Sequence, residues 1–178
     1  MKRTKLSNDK LDNTEKEIIL LLDSFLDPYP KNDNNSTWTN GLKKQLTKLG
    51  QEKGYEVATS SKKVKNKDWG EWLVDLMWYK NCYKNYKDGT LKSVFLVAEI
   101  EWLMGDWDIQ IDFEKLMVLK SKYRLMIFQA PNEDKVINRF KFLKSIIDNY
   151  KSSQIGDRYL LVGFDAKKRI FIRHLKVY

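Results

Sequence analysis

Two stretches of the chain, residues 72–79 (WLVDLMWY) and 93–102 (SVFLVAEIEW), are apolar at odd and even positions alike. Side chains alternate faces along a strand, so a strand apolar on both must be covered on both. These stretches predict two central strands of a sheet with helices packed on each side. The link between them, residues 81–91, contains Asp88-Gly89 and is short enough for the two strands to pair antiparallel.

The rest of the chain supplies the covering layers. Residues 15–26 (EKEIILLLDSFL) read as a helix, with Asn13-Thr14 available as a cap and Pro28 and Pro30 as a stop. A second helix is expected over 37–53, where Trp38, Leu42, Leu46 and Leu49 share one face and Gly54 follows the end. A short strand at 55–58 leads into the lysine-rich segment 60–68. Past the central strands come a helix over 109–120, starting at Ile109 or Asp112, and a strand over 123–129. A helix over 133–150 and closing strands over 159–164 and 169–177 complete the chain. A helix between the strands ending at Trp102 and beginning at Tyr123 implies a right-handed parallel crossover. The expected class is α/β of the α+β kind, a central mixed sheet flanked by helices, in the order α-α-β-β-β-α-β-α-β-β.

Composition agrees with one domain over residues 1–178. Hydrophobic residues make up 42% and aromatics 13%, with only 8 Gly and 3 Pro, which excludes wholesale disorder and fibrous repeats. Cys82 and His174 are single, so neither an internal disulfide nor a Cys/His zinc site is available. Residues 1–5 are basic, but polar residues 7–13 follow where a signal peptide needs an apolar segment. No apolar run reaches the roughly 18 residues of a membrane span. The expectation is a soluble cytoplasmic protein with no membrane partner.

The charge is uneven. Lys and Arg number 33 against 24 Asp and Glu, a formal +9. Residues 1–66 hold 13 basic and 9 acidic groups, 67–130 hold 9 and 10, and 131–178 hold 11 and 5. Basic flanks suit a polyanion, and Lys62, Lys63 and Lys65 are the first candidates for nucleic-acid contact, with Lys167, Lys168 and Arg169 second.

The near-neutral middle holds the anomaly. Asp75 lies within an apolar stretch, and Glu99 and Glu101 end another, where ionised side chains are expensive without compensation. Residues two apart in a strand share a face, and an antiparallel neighbour lies about 4.8 Å away, so Asp75 can reach Glu99 and Glu101. Three converging carboxylates repel one another unless a cation sits among them, and hard oxygen ligands select Mg²⁺ or Mn²⁺.

Asp75 and Glu99-Ile-Glu101, within the order helix, three strands, helix, strand over residues 37–129, resemble the PD-(D/E)xK nuclease superfamily with its restriction-endonuclease-like core. Residues 1–36 and 130–178 would then be extensions to that core. The resemblance implies a metal-dependent endonuclease acting on DNA, or on RNA, with Asp75, Glu99 and Glu101 as metal ligands and catalytic residues. Glu101 stands where most of the superfamily has Lys, making this a Glu-x-Glu variant, and Lys115 of the crossover helix can substitute. Glu52, Glu56, Asp106 and Asp108 are supplementary candidates. The alternative is a nuclease-like module without chemistry, binding DNA or a protein. Cutting both strands of a duplex would suit a homodimer.

Overall fold

Helices α1 (Asn13–Phe25) and α2 (Asn35–Glu52) precede strands β1 (Glu56–Thr59), β2 (Leu76–Cys82) and β3 (Thr90–Glu101). They are followed by α3 (Asp106–Val118), β4 (Tyr123–Ala130), α4 (Glu133–Asn149), β5 (Arg158–Asp165) and β6 (Ile170–Val177), the order expected from sequence. The computed structural model describes residues 10–26, 34–59, 73–82 and 89–178. Lys62, Lys63 and Lys65, and the polar segment around them, lie outside the described residues.

The six strands form one mixed sheet in sequential order, β1-β2-β3-β4-β5-β6. The pairs β1/β2, β2/β3 and β5/β6 are antiparallel, whereas β3/β4 and β4/β5 are parallel. The two parallel connections are made by α3 and α4. Even-numbered residues of β3, Leu96, Ala98 and Ile100, join a core with Ile18 and Leu22 of α1 and Trp38, Leu42 and Leu46 of α2. Val97, on the other face, packs with Ile109, Phe113 and Leu116 of α3 and Phe140 and Leu143 of α4. This two-sided burial is the reason for the apolar stretches.

Local chemistry sets the ends of the elements. The cap of α1 is Asp12 rather than Asn13 or Thr14: its carboxylate accepts the Glu15 N–H at 3.1 Å, and Glu15 accepts the Asp12 N–H at 2.9 Å. Asn34 caps α2 by accepting the Thr37 N–H at 2.7 Å. Close packing of α2 on the sheet depends on Gly50, because a Cβ there would stand 2.5 Å from Nε1 of the fully buried Trp78. The same Nε1 donates to the Leu46 carbonyl at 3.1 Å.

Two boundaries differ in ways that bear on the site. Strand β2 begins at Leu76, not residue 72, so Asp75 immediately precedes the strand instead of lying within it. Leu73 has φ 55°, a left-handed conformation that ends regular extension, and Asp75 enters the sheet from this bend. Helix α3 begins at Asp106 rather than at Ile109 or Asp112. Acidic Asp106 and Asp108 in the first turn suit the positive end of the helix dipole and extend the helix backwards.

Candidate functional site

Antiparallel pairing of β2 on β3 and parallel pairing of β3, β4 and β5 bring one set of ends together: the start of β2 and the ends of β3, β4 and β5. The carboxyl ends of parallel strands are where open sheets of this kind commonly bind ligands. A cleft of about 350 Å³ opens here, lined by Leu73, Asp75, Glu99, Glu101, Asp112 and Lys115.

Its geometry follows from unequal strand lengths. The regular β2/β3 ladder reaches Leu76 and Ala98, whereas β3 continues to Glu101 against Phe128 of β4. Asp75 fills the gap: its Oδ2 accepts the Ile100 N–H at 2.9 Å, taking the place of a ladder partner. Its Oδ1 lies 2.6 Å from Nζ of Lys43, a buried lysine of α2 on the opposite side of the sheet. Asp75 therefore joins both layers.

Glu99 and Glu101 project together on the α3 side, as strand alternation requires. Glu99 is only 3% exposed. Its Oε1 lies 3.5 Å from Lys115 Nζ, a charge contact without hydrogen-bond geometry, and among the described residues it has no hydrogen-bond partner. Burial, followed by the charges of Asp75 and Asp112, pushes the Glu99 carboxyl up to about 8. Glu101 is half-buried and accepts the Leu103 N–H. Burial also raises its pKa, and the neighbouring Asp112 and Asp108 carboxylates add to the effect.

Lys115 lies in the third turn of α3, not at its start, and reaches back to the cleft. Its Nζ is 2.7 Å from Asp112 Oδ1. Burial acts to lower its pKa, but Asp112 and Glu99 outweigh that effect and raise it, so the ammonium stays charged. Asp108, Asp112 and Lys115 share one face of α3, next to the apolar face that meets the sheet.

The sequence candidates thus separate. Asp75, Glu99, Glu101 and Lys115 come together in one cleft. Glu52 lies 3.6 Å from Lys48 along α2, Glu56 accepts from Asn81 Nδ2 at 3.2 Å, and Asp106 holds Arg139 at 2.9 Å, none of them lining the cleft. His174 stacks on Phe140 with centroids 5.8 Å apart. Trp78 and Trp102 are core, whereas Trp107 is exposed. Lys167, Lys168 and Arg169 occupy the turn after β5, at the same sheet end as the cleft, where Lys168 pairs with Glu133. Sequence reasoning missed two members of the cluster. Asp112 was visible as an acid four residues after Asp108 on a helix. Lys43 carried no signal, because its neighbours Leu42 and Lys44 place it beside, not within, the apolar stripe.

Four carboxylates of mixed burial with two ammonium groups make a hard, oxygen-rich donor set. Carboxylate oxygens are the ligand type that hard cations take, and among the described residues Oε1 of Glu99 has no hydrogen-bond partner. Among the described residues, however, no group of three or more His, Cys, Asp and Glu side chains stands in a metal-holding arrangement. Asp75 is engaged by Lys43 and Ile100, and Glu101 by Leu103. Among the described residues, no helix is long and apolar enough to cross a membrane. Comparison of the chain with models of known protein families, with curated proteins and with solved structures finds no match.

Proposed function

We propose that this chain is a metal-dependent endonuclease of the restriction-endonuclease-like kind, hydrolysing phosphodiester bonds in DNA. The observation that carries the reading is the meeting of Asp75 with Glu99-Ile-Glu101 at one sheet end, in an open cleft where, among the described residues, a buried Glu99 oxygen has no hydrogen-bond partner. Asp75, Glu99 and Glu101 would hold Mg²⁺ or Mn²⁺. Bound there, the ion supplies Lewis acidity at the phosphate and lowers the pKa of a water.

The chain's own groups do the remainder. Glu101, half-buried and with its pKa raised by burial, is a stronger base than an exposed carboxylate and is suited to accept a proton from the attacking water. Lys115 is 37% exposed at its side chain and carries its charge to the cleft wall, where negative charge develops on the phosphoryl oxygens. Lys167, Lys168 and Arg169 supply positive charge beyond the acidic centre for flanking phosphates. With one cleft per chain, cutting both strands of a duplex takes two copies or two visits.

The test is incubation with plasmid and linear DNA, and with RNA, in Mg²⁺ or Mn²⁺. Cleavage that depends on metal and falls by more than about 100-fold in Asp75→Asn is the expected outcome. Absence of cleavage on all substrates, or cleavage untouched by Asp75→Asn, would sink the proposal.

The ion pairs Lys43–Asp75 and Lys115–Glu99 favour one second reading: the acids are neutralised by lysines and the fold binds DNA or a protein without chemistry. In that case calorimetry detects no divalent ion, and Asp75→Asn with Glu99→Gln leaves DNA binding intact.

A further inference from the structure

Helix α3 is apolar on two opposite sides. Ile109, Phe113 and Leu116 are buried against the sheet. At about 100° per residue, Trp107, Ile111, Glu114 and Val118 form a second stripe on the far side. That stripe faces outward: Trp107 is 69% exposed, Val118 63% and Ile111 39%. Leu103 and Met104, just ahead of the helix, are exposed as well. Single apolar side chains on a surface are ordinary, but a continuous stripe headed by a tryptophan marks a surface that meets another.

The two ends of the stripe are unlike. Trp107 stands out as a knob at the start of α3. At the other end Met117 and Val118 border a groove of about 420 Å³ between α3 and α4, closed on the α4 side by Ser145, Ile146 and Asn149. Knob and groove are separated by about 16 Å of helix. The charges divide in the same way: Asp106 and Asp108 lie in the first turn, and the exposed Lys120 lies just past the last.

Such a surface is complementary to itself when turned end for end. A two-fold axis passing between Ile111 and Glu114 sets Trp107 of each copy level with Val118 of the other, and brings each acidic turn beside Lys120 of the other. A parallel pairing instead sets tryptophan on tryptophan and acid on acid. We propose that α3 is the contact of a symmetric dimer of this chain, running antiparallel across the two-fold axis, with each Trp107 seated in the other copy's groove between α3 and α4. Asp112 and Lys115 lie further round the helix from the stripe, so the two clefts stay open. The dimer does not depend on the chemistry of the cleft.

The experiment is sedimentation velocity on the full chain at concentrations up to about 100 µM. The wild type sediments as a dimer. Trp107→Lys and Val118→Glu each reduce the mass by half, because each substitution places a charge in both halves of the contact. An equimolar mixture of the two variants recovers the dimer: one half then pairs the introduced lysine with the introduced glutamate, and the other keeps Trp107 on Val118. Circular dichroism checks that each variant is folded, and Ile111→Lys serves to break the contact if either single variant does not fold. A monomeric wild type overturns the proposal and leaves the stripe to a different occupant. A dimer untouched by these substitutions overturns the surface, and a mixture of folded variants that stays monomeric overturns the antiparallel register.

Discussion

Glu99 is held under opposing electrostatic demands. Burial desolvates its carboxylate, two neighbouring acids repel the charge, and Lys115 at 3.5 Å only partly offsets them. Its folded-state pKa of about 8 lies above the ordinary 4.5. The sign follows from linkage: the folded chain keeps a proton that the unfolded chain releases. The stabilisation from this group is therefore complete below pH 4.5 and lost as pH rises through about 8. In the presence of a chelator, Glu99→Gln, which cannot ionise, should gain in Tm relative to wild type as pH rises from about 5 to about 8.5. Thermal melts across that range check it, and parallel pH profiles for the two proteins would contradict the assignment. The sequence identified Glu99 as an acid that should not be there. It did not identify Lys43, because an isolated lysine in a Lys-rich helix looks like any solvated cation until the sheet is built above it.

At the scale of elements, the site depends on how closely α2 lies on β2 and how far β3 outruns it. Gly50 sets the first distance. In Gly50→Ala the new methyl would meet Trp78, which is fully buried and tied to Leu46, so the ring cannot yield cheaply. Overpacking costs about 1–3 kcal/mol, which exceeds the ~1 kcal/mol that alanine gains in helix propensity. A lower midpoint in urea unfolding is expected; an unchanged or higher one would show that α2 can slide. The left-handed Leu73 sets the second feature by delaying the start of β2 and releasing Asp75 to accept from Ile100. Periodicity located the helices and strands of the described residues but could not locate this bend, because leucine gives no signal for a positive φ.

At the scale of the molecule, the N-terminal helix is fastened to the far end of the sheet by charge. Arg158 of β5 grips Glu15 at 2.7 and 2.6 Å, and the Glu15 side chain is only 1% exposed. Arg158→Met leaves that carboxylate buried and unpaired, a loss of about 3–5 kcal/mol; adding Glu15→Gln should restore part of it, since the penalty lies in the orphaned charge. Chemical denaturation of the single and double variants measures the recovery. The net charge of +9 bears on partners. If the turn after β5 contacts backbone phosphates, Lys167→Ala with Lys168→Ala should lower the slope of log affinity against log salt by roughly 2. Fluorescence anisotropy with a labelled duplex reads that slope, and an unchanged slope would remove the turn from the interface.

The sequence by itself determined the order of elements, the burial of both sheet faces, and the acids Asp75, Glu99 and Glu101, because each rests on local spacing: periods of two and of 3.6, and polar groups interrupting apolar runs. The tertiary structure alone decided the rest. Strand β3 outruns β2, Lys43 crosses from the α2 layer to Asp75, and Lys115 reaches back from the third turn of α3. These contacts join residues far apart in the chain. They arise from the packing of two helical layers on one sheet, which no local pattern encodes.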